Sequence, residues 1–166
     1  MLALRITNVK NFMNGFLAGN LFDPFLMIEG SLVTSVSYTF DGHLNLDFFP
    51  EEERNSEKHP YEYQPWEEAK PTIYSLIKGS NTPLLMRFMM QLKPDKAEEM
   101  LKKTAPDQDF SLLKGLILNI KYENSAITLT TGTSYSTFVM SHDADIIWDK
   151  NIQKYLSGKG IDYELL

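Results

Sequence analysis

Cysteine is missing altogether from the 166 residues. Without it the chain has no disulfide framework, no thiolate metal centre and no cysteine nucleophile. Histidine is scarce, with His43, His59 and His142 the whole supply. No run of about 18 apolar residues occurs, so no membrane-spanning helix is expected. The opening Met1-Leu2-Ala3-Leu4-Arg5-Ile6 lacks the basic-then-apolar layout of a secretion signal. These omissions together predict a cytoplasmic protein with no membrane partner. Hydrophobic residues make up 43%, the usual globular share, so there is apolar material for a real core. The length suits one domain over 1–166 that needs no staples.

The formal net charge of −6 disfavours general binding to a phosphate backbone. The charge is also unevenly spread. Residues 41–68 hold nine acids against Arg54 and Lys58, and residues 70–103 hold seven bases against Asp95, Glu98 and Glu99. Such a contrast marks either two solvated faces, the commoner case, or a surface for a partner.

Hydrophobic periodicity predicts an α+β fold, mostly antiparallel sheet with about three helices. Residues 1–6 alternate as a short strand. Val9, Phe12, Met13, Phe16 and Leu17 then form one apolar helical stripe, capped by Thr7 or Asn8 and ended by Gly19. Beyond Asp23-Pro24, residues 25–29 read as a strand, and after Gly30 alternation from Leu32 to Phe40 reads as another. Asp41-Gly42 has hairpin-turn chemistry, with Leu44, Leu46 and Phe48 on the returning strand. Residues 50–70 form a charged linker loop punctuated by Pro50, Pro60 and Pro65. Residues 72–78 are ambiguous between strand and helix, with a strand favoured because a turn-like Gly79-Ser80-Asn81-Thr82 follows. Next come a strand over 84–92, a helix opening at Pro94, and strands over 115–122, 126–131 and 135–140. A closing helix capped by Ser141 or Asp143 carries Trp148, Ile152, Tyr155 and Leu156, and Gly158 and Gly160 end it. Strand–helix–three-strand thus occurs twice, in halves 1–49 and 84–140.

No reactive constellation stands out. Ser141-His142-Asp143-Ala144-Asp145 has the residue types of a metal cluster, yet serine and acids at a helix start are ordinary capping chemistry. Thr130-Thr131-Gly132-Thr133-Ser134 could cradle an anion, but a turn between strands uses the same residues, and the phosphate-loop lysine is missing. Around Lys78-Gly79-Ser80-Asn81-Thr82 a base accompanies the small polar residues. Lys78, Arg87, Lys93 and Lys96 are therefore the expected anion or partner contacts. No cofactor and no metal is expected. The aromatic residues Tyr61, Tyr63 and Trp66 lie among Glu62, Glu67 and Glu68, which suits a protein contact better than a nucleic acid.

Several fragments together are familiar: Phe22-Asp23-Pro24-Phe25, Asp41-Gly42-His43-Leu44-Asn45, Leu76-Ile77-Lys78-Gly79 with Thr82-Pro83, Thr131-Gly132-Thr133-Ser134, and Trp148-Asp149. They resemble an uncharacterised family from anaerobic Gram-positive bacteria. That resemblance implies a cytoplasmic bacterial protein and brings no activity with it. The element order also resembles the subunit plan of DNA sliding clamps, although the helices lack the basic faces such rings turn toward DNA. The leading expectation is a non-enzymatic binding or protein-interaction domain. The alternatives are a small hydrolase using His43 or His142 with Asp41, Asp143 or Asp145, and a clamp-like ring subunit.

Overall fold

Eight strands hydrogen-bond into one antiparallel sheet in the computed structural model, which describes residues 1–77, 79 and 81–166. Along the chain come β1 (Ala3–Ile6), α1 (Val9–Leu17), β2 (Phe25–Val33), β3 (Ser37–Asp41), β4 (Gln64–Pro65) and α2 (Trp66–Ile77). They are followed by β5 (Leu85–Leu92), α3 (Pro94–Thr104), β6 (Leu113–Glu123), β7 (Ala126–Tyr135), α4 (Asp143–Gly158) and β8 (Tyr163–Leu165). Across the sheet the order is β3-β2-β5-β6-β7-β1-β8, with the short β4 also on β2. The α+β class stands, with four α-helices among the described residues where about three were expected.

One face of the sheet carries the alternating apolar positions and is covered by helices. Leu32, Met86, Phe88, Met90, Leu118, Ile120, Ile127 and Leu129 share one buried cluster with Phe12 and Phe16 of α1, Trp66 and Ile73 of α2, and Trp148 and Ile152 of α4. Aromatic rings dominate its centre. Phe16 stacks on Trp66 with centroids 4.4 Å apart, and Phe22 and Phe88 meet Phe16 edge-on. Buried indoles need hydrogen-bond acceptors. Trp66 Nε1 donates to the Phe16 carbonyl at 2.9 Å, and Trp148 Nε1 to that of Ile117 at 2.8 Å.

At α1 the start signal acts as its chemistry predicts. Asn8 caps the helix, its Oδ1 accepting from the Asn11 N–H at 3.0 Å. The helix ends on Ala18 in right-handed backbone, and Gly19, not in the left-handed region, only donates its N–H to the Asn14 carbonyl. Pro94 opens α3, where a missing N–H costs nothing. The β6–β7 hairpin turns through Asn124 and Ser125, both at positive φ, the geometry whose twist matches that of the flanking strands.

Elsewhere the chain departs from the expected plan. β2 runs unbroken through Gly30, because a glycine is what Phe88 requires opposite it: a β-carbon there would lie 2.5 Å from the ring. The hairpin between β2 and β3 turns at 34–36, where the Thr34 N–H donates to the Val36 carbonyl, and not at Asp41-Gly42. Gly42 instead packs on β2, its N–H donating to the Ile28 carbonyl at 2.8 Å. The expected strand at 44–48 is replaced by a 3-10 turn, Leu46–Phe48. The linker loop expected over 50–70 stops short, at β4 and the opening of α2 (Trp66–Ile77), and 72–77, for which a strand was favoured, are helix. The strand expected at 135–140 is absent; β7 absorbs its first residue and the chain then runs irregularly to α4. His142 rather than Ser141 or Asp143 takes the N-cap position of α4, although Ser141 Oγ does accept from the Asp143 N–H. Each supposed half therefore has two strands after its helix, and the third strands that carried the likeness to a clamp subunit are missing.

Candidate functional site: the open face of the sheet

The face of the sheet turned away from the helices carries the polar half of each strand's alternation. Register aligns those residues in rows. One row runs Thr39, Ser31, Arg87, Lys121, Thr128, Arg5, each directly paired with the next. Arg87 and Lys121 are thus adjacent across the ladder, about 5 Å apart at the backbone, and Arg5 lies two strands on, about 10 Å from Lys121. Like charges directly opposite in a sheet are destabilising. Part of the charge is answered. Lys121 hydrogen-bonds Glu123 two residues along its strand, and this bond, with the Lys121 and Arg87 charges, holds the Glu123 carboxyl below its usual range. Arg87 and Arg5 have no ion pair among the described residues.

The neighbouring row contains Asp41, Glu29, Met89, Asn119, Thr130 and Ala3. Between the two rows lies a shallow concavity of about 530 Å³ lined by Ser31, Thr39, Arg87, Asn119, Lys121 and Thr130. Further along, the same face is roofed by residues 60–65, leaving a second cleft of about 530 Å³ walled by Tyr61 and Tyr63 and floored by Met89 and Ile117. Tyr61 is fixed there by donating its hydroxyl to Asp95 at 2.9 Å. Burial first, and then the bond to Asp95, pushes its phenol above the ordinary tyrosine value.

Of the four bases expected as contacts, the three among the described residues do not converge. Arg87 lies at the centre of the open face. Lys93 follows the end of β5, six residues or roughly 20 Å along the strand direction. Its ammonium is 3.1 Å from Glu67 and 5.7 Å from the centre of the Tyr61 ring, so it pins α2 and the 60–65 segment to the start of α3. Lys96 projects from α3 into solvent. Lys78 lies outside the described residues. Arg5 and Lys121, which do share Arg87's row, carry no motif and become visible only once strand pairing is known.

The histidines do not assemble an acid–base site. His43 Nε2 lies 3.6 Å from Glu62 while its backbone N–H bonds Asp41, so Asp41 caps a turn and is not the ring's partner. His142 Nδ1 lies 3.6 Å from Asp145, whose other oxygen accepts from the Thr133 hydroxyl at 2.8 Å. A carboxylate between a histidine and a hydroxyl is the wrong order for activating that hydroxyl, which must face the imidazole. Asp143 is occupied by the Ser141 hydroxyl. Thr131-Gly132-Thr133 is part of β7 and not a turn: Thr131 and Thr133 donate to Asp149 and Asp145, docking α4 on the strand. Among the described residues no helix is long and apolar enough to cross a membrane.

These features define a two-layer α+β domain, helices on one side of an antiparallel sheet and a polar open face on the other. The chain belongs to DUF5721, a family of unknown function, whose model matches residues 15–164. No curated protein and no solved structure matches it.

Proposed function

We propose that the chain is a non-enzymatic binding domain that takes a protein partner on the open face of its sheet, in the bacterial cytoplasm expected from the sequence. The observation that carries this reading is the row Arg87-Lys121-Thr128-Arg5. Two cations directly opposite on exposed strands cost stability on their own, and an acidic partner group set between them offsets that cost. Glu29, Asp41 and Glu123 on the same face give it mixed sign, which suits the interspersed charges of a protein surface and opposes a uniform chain of phosphates.

The test is a titration, followed by NMR, with a short acidic peptide of alternating Glu and Ser and, in parallel, a single-stranded oligonucleotide of similar charge. The peptide should move the amide resonances of Arg5, Arg87 and Lys121 in a salt-sensitive way. The Arg87→Glu/Lys121→Glu double variant should remain folded and lose the response. Response to the oligonucleotide alone would replace the protein partner with a nucleic acid, and response to neither would remove the open face as a binding site.

A further inference from the structure

A third concavity, of about 390 Å³, lies at the end of the sheet between α3, the 105–111 loop and the start of β6. Its walls are apolar: Leu92, Ala97 and Leu101 from the β5–α3 segment, and Phe110 and Leu113 from the other side. Into it turns one polar side chain that is nearly closed off from solvent. Gln91 is only 9% exposed, and its carboxamide, whose polar atoms are not fully closed off, makes no side-chain hydrogen bond among the described residues. Room for it is made by Gly115, where a β-carbon would stand 2.5 Å from Gln91 Oε1 and 2.8 Å from Cδ. Left without a protein partner, such a carboxamide can bond a molecule that enters the concavity.

We infer that this cavity is a binding site for a small uncharged molecule with an apolar or aromatic body and an amide-type edge, a donor and an acceptor side by side. The carboxamide of Gln91 offers the complementary acceptor and donor. The volume is in the range of small-molecule sites, which combine apolar walls with a few placed polar groups. The rim argues for neutrality. Glu98 is paired with Lys102, and Asp109 and Lys114 oppose each other in sign. Asp109 is further occupied by the Ser111 backbone N–H, which holds its carboxyl below the usual range. The site shares Gln91 and Lys114 with the cleft under residues 60–65, but the row of Arg5, Arg87 and Lys121 takes no part in its lining.

The probe is benzamide, titrated into the full chain and followed by NMR, with N,N-dimethylbenzamide as the analogue lacking N–H donors. Benzamide should shift the Gln91 side-chain NH₂ signals and the methyl signals of Ala97 and Leu101, and bind about tenfold more tightly than the analogue. Gln91→Leu should erase that preference, Ala97→Phe should fill the cavity and abolish binding of both amides, and Arg87→Glu should change neither. Absence of shifts up to the solubility limit, or equal affinity of the two amides for the unaltered chain, would overturn the assignment. Should Ala97→Phe fail to fold, the near-isosteric Gln91→Leu carries the test alone.

Discussion

At position 42 there is no room even for a methyl group: a β-carbon would stand 1.8 Å from the Met27 carbonyl oxygen. That oxygen is backbone and cannot rotate away. Gly42→Ala should therefore displace the 42–48 segment from β2 and cost about 3 kcal/mol or more, read from the urea midpoint at unchanged slope. Tyr155 is a milder case with a pH signature. Its hydroxyl donates to the Leu21 carbonyl at 2.6 Å, and burial, aided by Asp23, pushes the phenol above its ordinary value. A raised folded-state value means the contribution of Tyr155 is complete below about pH 10, the unfolded value, and is lost as pH rises through the folded one. Tyr155→Phe should cost about 1 kcal/mol at neutral pH and reduce the loss of stability above pH 10, measured by denaturation at both pH values.

Among the elements, α4 is joined to β7 by two matched hydroxyl–carboxylate bonds, Thr131 to Asp149 and Thr133 to Asp145, spaced two residues on the strand and four on the helix. A double-mutant cycle on Thr131→Val and Asp149→Asn should give a coupling of about 1 kcal/mol, with the Asp145 pair untouched. The helix α2 holds Pro71 in its interior, where the ring removes a backbone donor. Pro71→Ala should stabilise the fold by up to about 3 kcal/mol in thermal unfolding. That proline also explains why α2 was hard to read: together with Pro65 it leaves no uninterrupted helical stripe, and 72–78 alone is too short to decide. Where a cap or a clean alternation marks an element, as with Asn8 at α1 or 84–92 at β5, the reading and the structure agree. The β2–β3 turn was hidden for the opposite reason, since alternation from Leu32 to Phe40 continues straight across it. Arg5 and Lys121 are illegible as neighbours of Arg87 because only strand register brings them beside it, across 82 positions for Arg5 and 34 for Lys121. Gln91 alternates with Met90 and Leu92 and reads as solvent-facing; only the tertiary fold, which brings α3, the 105–111 loop and the 60–65 segment around the strand end, encloses it.

For the molecule as a whole, one side of the sheet is committed to the core and the other is left to solution. Charge reversal at Arg87 and Lys121 together should leave the melting temperature within the small range typical of surface changes. A large fall would mean that these cations serve the fold rather than a partner. The strand order has a kinetic consequence as well. β1 is hydrogen-bonded on one side to β7 and on the other to β8, so every sheet partner it has lies beyond residue 125. Before β7 and β8 have been made, β1 has no strand of this sheet to pair with, and the sheet stays open on that side. Such distant pairing puts refolding in the millisecond-to-second regime of topologies dominated by non-local contacts. Until β7 is made, β6, paired on its other side with β5, presents an unpaired strand edge, and a nascent chain held at that stage is the form most open to capture by another copy or by a chaperone.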